Sequence, residues 1–313
     1  MVNKKKFKRV LIVLGGTSGE RSISLKSGRA CALALKKRNY YVSLFDPKFK
    51  NLNEIDKSKV DVIFNALHGK GGEDGIAQSY FEYLRIPYTH SGVISSYNAM
   101  NKIISKKIFH KNKILTPNHF TISKKEFSNQ KIKKLLNTKN IKFPLVSKPI
   151  NEGSSLGVKI SKDIFELIKN SKKLFKKYDC LMYEKYIGGQ EIQVAVINNK
   201  PLGAIELIPR RKFYDYKAKY TKSAKTRHIM PAQLSKKDYS KVLKIAKKAH
   251  SKLQCKGVTR SDFKYYQKKF YLLEINTQPG MTNLSLVPEI ANYSGISFPN
   301  LIEKILLDAS ISR

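Results

Sequence analysis

The chain has little cysteine: Cys31, Cys180 and Cys255 are far apart, odd in number and outside any Cys-x-x-Cys spacing. That excludes a disulfide framework and a thiolate zinc site, and it fits a reducing cytoplasm. No run approaches the ~20 apolar residues that cross a bilayer, so no membrane association is expected. The apolar run Val10 to Leu14, behind the basic stretch Lys4 to Arg9, is too short for a signal-peptide core and reads as a first strand. Neither G-x-x-x-x-G-K-[ST] nor G-x-G-x-x-G occurs, and there is no internal repeat, which removes a Walker-type loop, a nicotinamide or flavin fingerprint and a solenoid. Acidic residues are scarce as well, 23 against 61 lysines and arginines, giving a formal net charge of +38 over 313 residues. Such an excess can mark a nucleic-acid binder. Here it is mostly lysine, scattered from Lys4 to Lys304 in short pairs, without the arginine forks and stacked aromatics of base recognition. It reads as a surface bias that favours anionic substrates, with no nucleic-acid partner expected.

With 41% of residues hydrophobic, the chain can bury a substantial core and form two or three compact domains. Up to about residue 90, strand and helix patterns alternate: VLIVL, a helix around Ser22 to Lys37, YYVSLF, VDVIFNAL, and a helix near Ile76 to Leu84. This predicts a parallel sheet covered by helices. A helix from about Ser95 to Asn112 precedes Thr116-Pro117, and FPLVSKP, the loop NEGSSLG and a helix over Asp163 to Tyr178 form a second α+β unit. A third begins near CLMYEKYIGG and carries a hairpin, QVAVINNKPLGAIELI. The long polar stretch from Pro209 to Pro231 reads as a functional loop. Beyond it Ser235 and Asp238 start a helix whose stripe of Val242, Ile245, Ala246, Ala249 and Leu253 needs no function beyond the core.

The densest chemistry lies in FYLLEINTQPG. Glu274 and Asn276, two apart on a strand, share a face. A three-residue turn at Gln267-Lys268-Lys269 would set Asp262 opposite Glu274 and Arg260 opposite Asn276, gathering three hard oxygen ligands that suit Mg²⁺. The glycine-rich loop after Lys148 can turn backbone N–H groups toward an anion, with Lys148 beside it. Glu20 at a helix entrance can pair with a ligand ammonium. His68 ends an apolar strand where open α/β sheets place ligands, and the interleaved aromatics and lysines of FYDYKAKY read as a lid over phosphates.

Taken together and in order, GGTSGERSIS, ALHGKGGEDG, KPINEGSSLG, FYDYKAKY, CKGVTRSDF and LLEINTQPGMTNLSLVP resemble the D-alanine:D-alanine ligase family of the ATP-grasp superfamily over nearly the whole chain. The resemblance implies α/β and α+β architecture: an ATP-grasp fold preceded by an N-terminal parallel-sheet α/β domain, divided as 1–92, 93–184 and 185–313. It implies ATP as cosubstrate, two Mg²⁺ (or Mn²⁺) ions, D-alanine as the other substrate and a homodimer. By motif position Lys102, Lys148 and Lys219 would contact phosphates. Glu184 would meet the adenine and Glu191 the ribose, with Lys185 and Ile187 also binding the nucleotide. Asp262, Glu274 and Asn276 would hold the metal. Glu20, Ser154 and Tyr220 would close the lid over the first D-alanine, with His68 beside it; Tyr220 resembles the dipeptide-forming members rather than those that use D-lactate. Arg260 and Gly280 would stabilise an oxyanion, and Ser285 and Leu286 would receive the second carboxylate. The sequence departs from the pattern at Asn101, where aspartate is usual, at Asn151, where arginine is common, and at Thr259 and Ser261 beside the metal set. The rival readings are another ATP-grasp carboxylate–amine ligase, an inactive relative, and a basic nucleic-acid-binding protein.

Overall fold

The structure, a computed structural model, describes residues 6–209, 226–282 and 285–313. Its first sheet is parallel, in the order β2-β1-β3, from β1 (Arg9–Val13), β2 (Tyr41–Phe45) and β3 (Val62–Asn65). Successive side chains of β1 face opposite ways. Val10 and Ile12 pack with Cys31 and Leu35 of α1 (Arg21–Lys36), while Leu11 and Val13 pack with Ala77 and Phe81 of α2 (Ile76–Leu84). Burial on both faces is why the strand reads as an unbroken apolar run, and each such large side chain stabilises by about 1.5–3 kcal/mol.

The expected helix from Ser95 to Asn112 is instead two helices, α3 (Val93–Met100) and α4 (Lys102–Lys111). Asn101 breaks it. Its backbone is extended (φ −79°, ψ 102°), and its Oδ1 accepts from the N–H groups of Ile103 and Ile104 at 3.0 and 3.2 Å. Such a cap contributes about 1 kcal/mol, and asparagine performs it as well as aspartate, so the departure at this position costs nothing structural. The break also frees the Lys102 N–H to bond the Ile150 carbonyl at 3.0 Å, tying the start of α4 to the glycine-rich loop.

The second sheet is antiparallel, ordered β4-β7-β5-β6, from β4 (His119–Ser123), β5 (Leu145–Pro149), β6 (Lys159–Ser161) and β7 (Cys180–Lys185). Its apolar face is covered by α5 (Asn129–Thr138) and α6 (Ile164–Leu174), which bury Ile132, Leu136, Leu167 and Leu174 against Leu181 and Tyr183. The third sheet runs β10-β9-β8-β11-β12, from β8 (Gln190–Ile197), β9 (Lys200–Ile208), β10 (Arg227–Ile229), β11 (Val258–Tyr266) and β12 (Lys269–Asn276). The expected apolar stripe covers one face: Val242, Ala246 and Ala249 of α7 (Lys236–Lys252) and Leu253 just beyond are buried, and Ile245 is half-buried.

The other face meets the N-terminal unit. Helices α8 (Leu286–Tyr293) and α9 (Phe298–Leu307) lie between, so Ala195 and Ile205 share one core with Ile12 and Leu35. The C-terminus is thereby locked onto the N-terminal unit: Tyr88 bridges Ser310, and Glu82 accepts from the Ser312 and Arg313 N–H groups.

Candidate active site

Two cavities meet where the three sheets converge. One is lined by Glu20, Glu73, Lys102, Glu152, Gly153, Ser154, Arg260, Glu274 and Asn276, among others. The other is lined by Lys148, Glu184, Lys185, Ile187, Lys264 and neighbours. Lys102, Glu152 and Glu274 stand on the walls of both. Ligands in the two cavities would therefore share these three residues as contacts.

The β11–β12 hairpin places the oxygens. Arg260 pairs with Asn276 and Asp262 with Glu274, the register the sequence predicts, but by another route. The turn has two residues, Gln267 and Lys268, both left-handed (φ 47° and 57°), as a tight hairpin of this hand requires. One extra residue, Leu273 of β12, is then absorbed by a bulge opposite the step from Asp262 to Phe263 on β11. A bulge swaps faces locally, and here it turns Glu274 and Asn276 toward the cavity while Ile275 stays in the core.

All three oxygen-bearing groups have internal partners. Arg260 donates to both Asp262 oxygens, Nε to Oδ1 at 2.7 Å and Nη2 to Oδ2 at 3.0 Å, and Asp262 is 5% exposed. Lys102 Nζ sits 3.4 Å from Glu274 Oε2 and donates to the Glu152 carbonyl at 2.6 Å. Asn276 Oδ1 accepts the Gln278 N–H at 2.8 Å. Among the described residues no three His, Cys, Asp or Glu side chains form a ligating cluster; the set expected from the sequence, two carboxylates and one amide, is not of that kind. Those hard oxygens are of the kind that fit Mg²⁺, with Arg260 beside Asp262 and Lys102 beside Glu274.

In the second cavity Glu184 is clasped by two lysines. Lys148 Nζ lies 2.5 Å from Oε1 and Lys106 Nζ 3.1 Å from Oε2. Burial pushes the Glu184 carboxyl up, but attraction from Lys106 and then Lys148 outweighs it and holds the group down at about 2. Burial also lowers Lys106, against the pull of Glu184, to about 8. Lys106 was not legible in the sequence, being one lysine among many. Its position four residues after Lys102 puts both on the buried face of α4. Ile187 and Lys185 line this cavity as expected, whereas Glu191 does not; it is held 3.0 Å from Lys264, which does.

Glu20 lies at the entrance of α1, buried, and Gly69 explains how closely the loop approaches it. That glycine has φ 71°, and a Cβ there would stand 2.8 Å from Glu20 Oε2. Arg21 turns away and binds Asp46 at 2.7 Å. Ser154 lines the first cavity, and it and Ser155 are left-handed (φ 48° and 60°), a strained arrangement for two successive non-glycine residues. His68 does not line that cavity. Its Nε2 is 3.2 Å from Ser27 Oγ, and burial lowers the ring to about 4, so it is neutral. Ser27 Oγ in turn accepts the Met281 N–H at 3.1 Å, next to Gly280. Ser285 Oγ accepts the Thr282 N–H at 2.9 Å, and Leu286 opens α8. Lys219 and Tyr220 lie outside the described residues.

Three further residues belong to the site. Buried Asn65 donates to the Gly72 carbonyl at 3.1 Å and to Gln278 Oε1 at 2.9 Å, and Gln278 Nε2 donates to the Leu67 carbonyl, linking Asn276 to the N-terminal unit. Glu73, 7% exposed, accepts the Gly69 N–H at 2.6 Å. Its place in ALHGKGGEDG, five residues after His68, is the signal that the sequence carries for it. Burial, then repulsion from Glu20, raises its carboxyl well above 4.5.

Because folded Glu73 keeps its proton where the unfolded chain has lost it, folding stability falls as pH rises above 4.5. Glutamine does not titrate and still accepts from Gly69. Glu73→Gln is therefore expected to melt about 2 °C or more above the unsubstituted protein at pH 8, with the gap closing toward pH 5. Thermal melts at the two pH values check this; a variant less stable at pH 8 contradicts it.

Comparison with known proteins follows the same lines. Residues 108–307 match the family model described as D-ala D-ala ligase C-terminus, and residues 45–91 the one described as D-ala D-ala ligase N-terminus. A D-alanine–D-alanine ligase of Pelagibacter ubique (strain HTCC1062) is 58% identical over 307 residues, covering 98% of this chain and 99% of that protein. One from Geotalea uraniireducens (strain Rf4) is 41% identical, covering 99% and 98%. The crystal structure of the Bacillus anthracis D-alanine–D-alanine ligase complexed with ATP is similar with a TM-score of 0.83 and 32% identity, over 96% of this chain and 97% of that one.

Proposed function

The chain belongs to the D-alanine–D-alanine ligase family, and on that premise we propose that its paired cavities are where ATP activates one D-alanine for attack by a second. It is an ATP-dependent ligase of the ATP-grasp fold that makes D-alanyl-D-alanine for peptidoglycan synthesis. The observation that carries the site assignment is the shared wall: Lys102 and Glu274 border both cavities, so a phosphoryl group and a carboxylate can meet there.

The cavity walls match the two substrates. The second cavity offers Lys148 to phosphates, Glu184 with Lys185 and Ile187 to the nucleotide base, and Lys264 at its wall, which holds Glu191 just outside it for the ribose. The first has four acidic side chains, of which Glu73 keeps its proton, and the carboxylates of Glu20, Glu152 and Glu274 face Lys102 and Arg260, a balance that suits an ammonium group and divalent cations. Glu20 binds the ammonium of the first D-alanine, with Ser154 and Tyr220 closing the lid and His68 supporting from behind Ser27. Asp262, Glu274 and Asn276 hold Mg²⁺ or Mn²⁺, two ions, which when bound neutralise phosphate oxygens.

A carboxylate is a poor electrophile, so its oxygen first takes the γ-phosphoryl group, with Lys102, Lys148 and Lys219 offsetting charge on the transferred oxygens. The amine of the second D-alanine, its carboxylate received at Ser285 and Leu286, adds to the acyl phosphate. Arg260 and the Gly280 N–H stabilise the oxyanion, phosphate leaves with the C–O electron pair, and the dipeptide remains. A closed cavity keeps water from the acyl phosphate. Among the described residues no helix is long and apolar enough to cross a membrane, which accords with a cytoplasmic enzyme. The three sheets support a division into units 1–92, 93–184 and 185–313.

The homodimer is assigned to the face of α2 and α3. Ile76, Tyr80, Tyr83, Ile94 and Tyr97 are exposed there. From Gly71 to Asn101 the chain has one arginine, Arg85, and no lysine, although 61 of its 313 residues are lysine or arginine. Two copies each carrying +38 repel almost everywhere, and a lysine-free apolar face is where they can meet. Sedimentation velocity is expected to find a dimer that Tyr83→Lys with Ile94→Lys converts to monomer; an unchanged dimer contradicts the assignment. The ligase reading itself is tested by phosphate release with MgATP and D-alanine, L-alanine or neither, with the product identified by mass spectrometry. Phosphate and dipeptide with D-alanine alone are expected; ATP binding without D-alanine-dependent phosphate would overturn it.

A further inference from the structure

Gln193, in the middle of β8, is 0% exposed, and among the described residues neither its amide nitrogen nor its oxygen has a hydrogen-bond partner. Leaving both groups of a buried amide unmet is destabilising, and a hydrophobic residue of equal size would pack there at less cost. Its neighbour across the sheet is Asp262 on β11, which in turn faces Glu274 on β12. Residues directly opposed on antiparallel strands share a face with Cβ atoms about 4.5–5.5 Å apart, within reach of a glutamine.

Arg260 explains why a spare donor would stand there. Its guanidinium now spans both Asp262 oxygens, yet it also lines the cavity, where it is the arginine placed to meet an oxyanion. It cannot hold both groups in full. If it turns to the reacting carbonyl, Asp262 loses two hydrogen bonds in a buried setting. A neutral amide can then hold that carboxylate without competing with a divalent cation for its charge, as an ammonium group would.

We propose that Gln193 is a positioning residue for the metal site: its Nε2–H takes over Asp262 as Arg260 turns to the reacting carbonyl, keeping the carboxylate aimed at the cation. This rests on the reading of Asp262 as a metal ligand. The test uses the full chain with Mn²⁺ and ADP, free Mn²⁺ being read by electron paramagnetic resonance, beside thermal melts without nucleotide. Gln193→Met, unbranched and of similar length, is expected to melt about 2 °C or more higher, since it removes two unmet groups, and to bind Mn²⁺ about tenfold more weakly with ADP present. Gln193→Leu is expected to behave alike and guards against a packing fault of either side chain. A lower melting temperature with unchanged Mn²⁺ affinity in both variants marks a merely structural residue and overturns the proposal; so does a higher melting temperature with unchanged affinity. Asp262→Asn separates the two levels: if it too leaves Mn²⁺ affinity unchanged, the metal reading falls and the proposal with it.

Discussion

Glu274→Ala abolishes ligation and leaves the protein folded. Phosphate release with MgATP and D-alanine is expected to fall by more than ~100-fold, since even residues that merely support metal ligands cost ~10–100-fold when replaced. The side chain is 27% exposed and lies in a cavity wall, so its loss removes little core volume, and Lys102 keeps its bond to the Glu152 carbonyl. The melting temperature is therefore expected to stay within a few degrees. Steady-state phosphate release and a thermal melt on one sample check both halves. Near-normal ADP release in the presence of D-alanine contradicts the metal assignment.

Arg260→Ala is expected to lose activity and stability together, which distinguishes it from Glu274→Ala. Loss of one oxyanion donor lowers kcat by ~10²–10³-fold. Removing Arg260 also leaves the buried Asp262 charge with no cationic partner among the described residues, only the neutral Gln193 amide within reach, and breaking such a pair from one side costs ~3–5 kcal/mol. Adding Asp262→Asn should then recover stability, because the stranded charge is gone, while activity stays lost. A double mutant no more stable than Arg260→Ala contradicts the pairing; normal kcat in Arg260→Ala contradicts the oxyanion role.

How much of this was legible in the sequence depended on how local the physics was. Side-chain alternation put Glu274 and Asn276 on one face without any tertiary information, and the parallel sheet followed from apolar runs alternating with amphipathic helices. The hairpin register came out right although the turn was one residue too long, because a bulge supplied the missing residue. Bulges answer to packing on both sides of a sheet, which spacing alone does not record. Asn101 breaks a helix whose apolar periodicity runs on across it, and only its cap to Ile103 and Ile104 reveals the interruption.

Other parts of the site depend on contacts between distant segments. Glu73 is distinctive because Glu20 and burial raise its carboxyl, and Lys106 because α4 turns it onto Glu184; neither differs in sequence from its many exposed counterparts. Gln278 joins Asn276 to Asn65 across 213 residues of chain. The helices after Leu286 close the N-terminal sheet, a long-range pairing that no local pattern announces.

The account stands on one claim, that a D-alanine carboxylate oxygen meets the terminal phosphoryl group at the wall shared by the two cavities. Ligation of D-alanine labelled with ¹⁸O in its carboxylate, followed by mass spectrometry of the released phosphate, tests it directly. The account predicts one ¹⁸O in each phosphate released per dipeptide, because cleavage of the acyl phosphate by the amine leaves that oxygen on phosphorus. Dipeptide formation with unlabelled phosphate would contradict it.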